Sequence, residues 1–366
     1  MAERSQIGLA LKYAPLYIRG FYEYHIKKHF ATLAPREFMF PITYRCNARC
    51  VMCNIWRLPK KKELSLQQIE QLLSDKLFSN IEAVNITGGE PTLREDLIQI
   101  AYVLIDMLRK LKKITLSTNA LDTQRVIKSC VEIAEACQSQ GIDFLVEASL
   151  DGIGKTHDNV RNVPDAFRKV YATIFKLKKL CRRHHFRLGI NTVVSPMNLR
   201  DAPSVYEWCK KHDLNTFFTV ASIAENYYLN VGESENLKIK DEGEKYLIEF
   251  LQKMIEEKSP LNFLAYYYND LIRMIRDNQQ RTTPCVFALD AFILDAYGDM
   301  YYCMYGKKIG NYLRRSCSDI YFDPRNLAYR NEIMRDKCPR CFVNCFSSIG
   351  LGKELIKYVR FLLSRS

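Results

Sequence analysis

Cys46-Asn47-Ala48-Arg49-Cys50-Val51-Met52-Cys53 sets three cysteines at C-x3-C-x2-C spacing within eight residues. Sulfurs this close along a chain can converge on a compact metal centre without help from the rest of the fold. Three thiolates do not close a four-iron cluster and no fourth ligand stands nearby, so such a cluster would keep one iron open. An open iron is where a small molecule can bind and receive an electron. The competing readings are a zinc site, a disulfide pair and ordinary buried thiols. Zinc sites usually pair two Cys or Cys/His knuckles, whereas this loop has an odd count and no histidine beside it.

Further on, the apolar run Ala83-Val84-Asn85-Ile86-Thr87 ends in Gly88-Gly89-Glu90-Pro91. Glycines let a backbone approach a ligand closely, and Glu90 at a strand end can accept hydrogen bonds from an amino group. The two motifs together resemble the radical S-adenosylmethionine (radical SAM) superfamily, whose members carry C-x3-C-x2-C after the first strand and a GGE-type motif after the second. The resemblance implies a [4Fe-4S] cluster on Cys46, Cys50 and Cys53, with S-adenosylmethionine chelating the open iron and its amino group near Glu90.

With 366 residues and 48% hydrophobic content, the chain can form one large domain or a large and a small one. Thirteen cysteines in an intracellular-looking chain read as metal ligands plus buried thiols. Neither a signal-peptide pattern nor a run of about 18 apolar residues is present, so the expected place is the cytoplasm. The net charge of +13 suits nucleic acid, an anionic membrane surface or an acidic substrate. Its runs, such as Arg109, Lys110, Lys112 and Lys113, fall on predicted helix faces and no RNA-binding signature accompanies them, so nucleic acid is not the expected partner.

Residues 1–36 read as an N-terminal helical extension. Pro15 suits a helix start, and Ile18, Tyr22, Ile26 and Phe30 recur every four residues beside Arg19, Lys27 and Lys28. Packing of that stripe on the core is the first expectation and membrane contact the second. Residues 346–366 echo it, with Leu351, Leu355, Tyr358 and Leu362 on one face and Lys353, Lys357 and Arg360 on another. Two basic amphipathic ends keep a peripheral position on the inner face of a membrane in view.

Over 37–222, short apolar runs alternate with helix-length periodic segments, the pattern of parallel βα units. Strands are expected near 37–43, 83–87, 113–118, 142–149, 187–194 and 216–221. Helices are expected near 65–77, 94–111, 123–139, 164–183 and 201–212, with Ser65 and Gln68 as a capping box. By resemblance, these repeats form an α/β fold, a partial (β/α)6 TIM-like barrel. Sites in parallel α/β folds gather at the carboxyl ends of strands, and the motifs fall there. Asn119, in Ser117-Thr118-Asn119-Ala120, resembles the family's segment that contacts the ribose and methionine of S-adenosylmethionine. Ser149, in Ser149-Leu150-Asp151-Gly152, resembles its S-x-D-G segment, and Arg161 could offer the ligand's carboxylate a bidentate fork. A structural ion pair between Asp151 and Arg161 is the equal alternative.

Residues 223–284 read as a mostly helical connection carrying Tyr266-Tyr267-Tyr268, an aromatic run of the kind that usually packs. Cysteines then return over 285–345, at Cys285, Cys303, Cys338, Cys341 and Cys345. Their pattern, with Gly298 ahead of Cys303, resembles the SPASM and twitch auxiliary-cluster domains that follow the barrel in many radical SAM proteins. The chain has C-x2-C-x3-C where the two-cluster form has more cysteines, which implies one auxiliary [4Fe-4S] cluster on Cys285, Cys303 and two or more of the last three. A structural zinc there is the competitor. Cys130, Cys137, Cys181, Cys209 and Cys317 are expected to be buried thiols.

The resemblance implies an enzyme that takes one electron from an external reductant such as flavodoxin or ferredoxin. It would cleave S-adenosylmethionine to methionine and a 5′-deoxyadenosyl radical, and take hydrogen from an unactivated carbon. Relatives with auxiliary clusters modify peptides, protein side chains or sugars; the basic ends favour a small molecule, sugar or lipid-linked glycan, with peptide modification as the alternative. A non-catalytic metal-binding scaffold for RNA is the alternative from another class.

Overall fold

The computed structural model of the protein describes residues 2–27, 30, 32–258, 262–343, 345 and 350–364. The chain divides into two compact units, one of residues 35–238 and 291–327 and the other of 1–34, 239–290 and 328–366. The stretch 285–345, expected as one auxiliary domain, is thus shared between them.

The first unit is built on a nine-stranded sheet. Its strands are β1 (Glu37–Thr43), β2 (Ala83–Gly88), β3 (Lys113–Thr118), β4 (Asp143–Ser149), β5 (Arg187–Val194), β6 (Asn215–Val220), β7 (Ala291–Leu294), β8 (Asp299–Tyr301) and β9 (Gly310–Asn311). The order is β6-β5-β4-β3-β2-β1-β7-β8-β9. Each neighbouring pair from β6 to β7 is parallel, and β8 and β9 turn back antiparallel. The sheet stays open, as a partial barrel does. Strand β1 is buried along nearly its whole length, as parallel strands covered on both faces must be. Phe38 lies 5.5 Å from Phe292 of β7 and 5.4 Å from Phe78, ring centre to ring centre.

Helices Leu66–Leu73, Leu97–Met107, Thr123–Ser139, Ala166–Cys181 and Ala202–Lys211 link successive strands. Ser65 and Gln68 close the expected capping box, each side chain bonded to the other's backbone N–H. The helix expected over 65–77 ends early, because Asp75 caps a separate 3-10 turn, Lys76–Asn80. Several elements escaped sequence reading, among them β8, β9 and helix Pro324–Asp336. Helix Lys155–Arg161 is short and polar, and β7 is a four-residue apolar run inside the presumed auxiliary domain.

The second unit is helical, with helices Ala2–His25, Glu242–Glu256, Phe263–Arg276 and Leu355–Leu363. Pro15 does not open the N-terminal helix but lies inside it. Tyr266, Tyr267 and Tyr268 are all buried, and Tyr266 packs 5.3 Å from both Tyr358 and Phe361. The stripe Ile18, Tyr22, Ile26 and Phe30, expected to pack on the core, faces outward instead. The inward face is Tyr17, Gly20, Glu23 and Tyr24, where Arg19 donates to Glu23 Oε1 at 3.3 Å and Tyr24 donates to Asp290. Lys28 lies outside the described residues, as does the side chain of Leu351. Among the described residues, no helix is long and apolar enough to cross a membrane.

Candidate metal and cofactor site

The cysteine loop leaves β1 at the carboxyl edge of the sheet and is pinned at several points. Arg49 and Val51 donate backbone N–H groups to the carbonyls of Arg161 and Val160 at 3.0 Å each. Asn230 donates to the Met52 carbonyl at 2.8 Å, and Trp56 donates its indole N–H to the Cys53 carbonyl at 3.0 Å. Ordering so many loop amides before any ligand arrives removes conformational freedom that binding would otherwise have to freeze.

The two glycines of the second motif serve this loop. Gly89 and Glu90 donate backbone N–H groups to the Thr43 and Arg45 carbonyls at 2.8 Å. A Cβ on Gly88 would stand 2.2 Å from the Thr43 oxygen, and one on Gly89 would stand 2.3 Å from the Arg45 oxygen. The close approach expected toward a ligand is therefore made, at these positions, by one chain segment to another.

Glu90 is buried, and its carboxylate already holds protein donors on both oxygens. Oε1 accepts from the Thr92 N–H at 3.2 Å, the Thr92 hydroxyl at 2.7 Å and the Thr118 hydroxyl at 2.9 Å. Oε2 accepts from the Asn119 N–H at 2.7 Å. The side chain thus ties the end of β2 to the end of β3, and the part of the motif left half-exposed is the backbone of Gly88 and Gly89. Burial raises the Glu90 pKa, opposed by these hydrogen bonds.

Asn119 is held in turn, accepting from Leu121 N–H at 3.0 Å. Its amide donates to Asn47 Oδ1 at 2.7 Å and lies 3.8 Å from Cys46 Sγ. Ala48 N–H points to the same sulfur at 3.4 Å. Across the loop, Arg161 Nη1 lies 3.6 Å from Cys50 Sγ while its Nη2 lies 2.6 Å from Asp151 Oδ2. The structural ion pair between Asp151 and Arg161 is therefore the arrangement present, extended to a cysteine. Arg161 Nε is buried without a hydrogen-bond partner. Ser149 is half-buried at the end of β4, in register with Asn191 of β5.

Beneath this network sits a residue that sequence reading missed. His157 is buried, its Nδ1 accepts from the Asp151 N–H at 3.0 Å, and its Nε2 has no partner. Burial first, then the Arg161 charge, pushes its pKa down to about 3, so the ring is neutral. A lone histidine in a seven-residue helix carries no sequence signal of such a role.

Burial pushes Cys46 up to about 11 and Cys53 up to about 12, and raises Cys50 despite the nearby Arg161. Thiols so placed stay protonated until a cation joins them. Soft sulfur donors at this spacing, N–H groups aimed at two of them and a loop fixed in advance fit an iron-sulfur cluster. Asn47 also lines an open cleft of about 380 Å³ with Thr123, Gln124 and Lys169, so the loop is reachable from solvent on that side.

Within the helical unit, Cys285, Cys341 and Cys345 are neighbours of Arg281, whose guanidinium feels all three. Arg281 donates to the Cys341 and Val343 carbonyls at 3.1 and 2.7 Å and to the Thr283 carbonyl at 2.8 Å, while Nη2 is buried without a partner. The Cys345 thiol donates to Cys285, which lowers the Cys285 pKa and raises that of Cys345. Cys338 opens the turn that ends at Cys341, whose N–H donates to the Cys338 carbonyl at 3.2 Å. Cys303 belongs to the sheet-bearing unit. Among the described residues, no three Cys, His, Asp or Glu side chains close on a point where a single metal ion would sit. Of the thiols read as structural, Cys130, Cys137, Cys209 and Cys317 are buried and Cys181 is half-buried.

Residues 40–209 match the family described as the Radical SAM superfamily. Among curated proteins, the chain is 22% identical to the Fe-coproporphyrin III synthase of Methanosarcina barkeri, over 82% of this chain and 79% of that one. It is 29% identical to the AdoMet-dependent heme synthase of the same organism, over 49% and 48%, and 28% identical to the GTP 3′,8-cyclase of Synechocystis, over 50% and 53%. The chain thus spans about half the length of these last two. Among solved structures, Streptococcus suis SuiB bound to S-adenosylmethionine matches with a TM-score of 0.58 at 18% identity, over 89% of this chain and 79% of that one. The anSMEcpe protein with bound AdoMet matches with a TM-score of 0.56 at 18% identity, over 90% and 97%. These similarities extend the shared fold beyond the segment that matches the family.

Proposed function

We propose that this enzyme, which carries a radical SAM domain over residues 40–209, oxidises or otherwise modifies a small molecule, sugar or lipid-linked glycan by taking hydrogen from one of its carbons. The observation that carries the proposal is the prepared cysteine loop, with Asn119 and Arg161 directed at two of its three sulfurs. Cys46, Cys50 and Cys53 would hold a [4Fe-4S] cluster. Bound there with S-adenosylmethionine and given one electron by an external donor such as a flavodoxin or ferredoxin, it supplies a 5′-deoxyadenosyl radical.

The chain's own residues hold and orient. The half-exposed backbone of Gly88 and Gly89, with Asn119 and Ser149, would receive the ligand. Glu90 fixes the ends of β2 and β3, which carry Gly88, Gly89 and Asn119. Arg161 is committed to Asp151 and Cys50, and its role becomes the support of the Cys50 thiolate rather than the clamping of a ligand carboxylate. Cys285, Cys341 and Cys345, with Cys338 as a further candidate, would hold one auxiliary [4Fe-4S] cluster, which would supply an electron acceptor for an oxidised substrate. Arg281 supports the negative charge those thiolates would carry.

A small substrate is favoured by the curated relatives, which include a heme synthase and a GTP cyclase. Peptide modification is the second reading, favoured by the structural match to SuiB, one of whose structures holds the precursor peptide SuiA. The RNA-scaffold reading gives way to the enzymatic family.

The test is anaerobic reconstitution with iron and sulfide, then dithionite and S-adenosylmethionine, with metals counted and 5′-deoxyadenosine assayed by mass spectrometry. About eight irons per chain, as two four-iron clusters require, together with deoxyadenosine, is the expected result. An intact cluster that yields no deoxyadenosine would overturn the radical reading, and about four irons with bound zinc would overturn the auxiliary cluster.

A further inference from the structure

The large hydrophobic side chains that stand exposed are not spread evenly. Ile18, Phe21, Tyr22, Ile26 and Phe30 follow one another along the N-terminal segment, and Ile356, Val359 and Leu363 along the C-terminal helix, whereas the others lie singly. Ile18 is 67% exposed, Phe30 85%, Ile356 68% and Leu363 69%. Scattered apolar residues need no explanation, but a run of them on neighbouring helices marks a surface that meets something.

The two segments are neighbours within the helical unit. Gly352, just ahead of the C-terminal helix, approaches the N-terminal helix so closely that a Cβ there would stand 2.5 Å from the Tyr17 oxygen and the Phe21 nitrogen. His25 Nε2 lies 2.9 Å from the Lys353 carbonyl oxygen. Both helices also have a satisfied inner face. Tyr24 is buried on the first, and Tyr358 and Phe361 pack against Ala265 and Tyr266 on the second. The outward residues are thus a second apolar face, left after the core has been filled.

Charge identifies the occupant. Arg19, Lys27, Lys353, Lys357 and Arg360 accompany these apolar residues. Among the described residues of 14–30 and 350–364 the carboxylates are Glu23, which is buried and pairs with Arg19 at 3.3 Å, and Glu354, which pairs with Lys357 at 2.9 Å. Apolar and aromatic side chains bordered by cations, without free carboxylates, complement a surface that is oily a little way in and negative outside. We propose that this two-helix face seats the enzyme on an anionic lipid bilayer, with the apolar side chains at headgroup depth and the cations among the lipid phosphates. The proposal is independent of the radical chemistry.

The experiment is flotation of the purified full chain with vesicles of phosphatidylcholine alone or mixed with phosphatidylglycerol. The chain is expected to float with the anionic vesicles at low salt, to be released as salt rises, and to bind phosphatidylcholine weakly. Ile18→Ser combined with Ile26→Ser should lower partitioning about tenfold or more without changing the melting temperature, since both side chains are exposed. Lys357→Glu with Arg360→Glu should abolish the preference for anionic lipid. Recovery in the soluble fraction at low salt with either vesicle would overturn the proposal. So would a dimer in light scattering that the Ile18→Ser, Ile26→Ser protein fails to form, because a second copy would then cover the face.

Discussion

Arg161 stands between an acid and a sulfur, and its two contacts decide what its removal should do. The Asp151 carboxylate holds Nη2 at 2.6 Å and leaves Nη1 near Cys50. Arg161→Gln removes a unit charge from beside Cys50, a proposed cluster ligand. At an effective dielectric of about 20 and a distance of about 6 Å, that charge corresponds to roughly 100 mV. The cluster potential, read by redox titration with electron paramagnetic resonance, should shift to more negative values by that order, with Arg161→Lys between the two. An unchanged potential in a folded, iron-loaded variant would show that the guanidinium only supports the loop. His157 makes a prediction about pH. Its folded pKa of about 3 lies below its ordinary value of 6.5, so the unfolded chain takes up the proton first. Its neutral ring therefore contributes stability that is complete above about pH 6.5 and lost as pH falls toward 3, by up to roughly 5 kcal/mol. His157→Asn, which keeps an acceptor for the Asp151 N–H, should flatten that part of the stability profile in denaturant titrations at pH 7 and pH 4.5. These residues also mark the limit of sequence reading. The three loop cysteines announce themselves by spacing, whereas the reach of Arg161 to Cys50 and of Arg281 to Cys341 joins residues distant in sequence, and His157 matters through burial, which no motif reports. For Glu90 the motif indicated the position but not that its oxygens would be taken by Thr92, Thr118 and Asn119.

Among the elements, the junction of β2 with the cysteine loop is the most exacting. Gly88→Ala would drive a methyl group into the Thr43 carbonyl, whereas Gly141→Ala, also at positive φ, meets nothing within 4 Å. The second should cost about 1 kcal/mol of backbone strain. The first should cost about 3 kcal/mol or more, because the strand end must part from the loop. Thermal unfolding of the two variants should show that gap, and the iron content of the Gly88 variant should fall with it. Equal losses would mean that the junction yields easily. Strands β1 to β6 were legible because each is an apolar run set between amphipathic helices. Strand β7 was not, since four apolar residues fit a strand or a helix equally well. The N-terminal helix was recognised by its period, yet its faces were assigned in reverse. Period reports that a stripe exists, and only the fit of Gly20 against Gly352 and the Arg19–Glu23 pair decides which side turns in.

For the whole molecule, the proposed function assigns different duties to two groups of cysteines. Cys285→Ala should leave the Cys46 loop able to load iron and to support S-adenosylmethionine cleavage, while iron falls from about eight to about four per chain. Loss of deoxyadenosine in a folded Cys285→Ala protein would show that the two centres are not separable. This division was visible in sequence as two clusters of cysteines, but the sharing of 285–345 between two units was not. It depends on β7 returning to the sheet beside β1, a pairing that no local pattern reports.

That return also constrains how the protein is made. Strand β1 leads into the cysteine loop and pairs with β7 about 250 residues later. At ribosomal rates of about 5–20 residues per second, β1 emerges on the order of ten to fifty seconds before the strand that covers its second edge. During that interval an apolar strand, with three cysteines just beyond it, has one side without a partner. Synthesis of the last fifth of the chain thus completes the setting of the cysteine loop, and a nascent chain halted before residue 291 would carry that loop on an unfinished sheet.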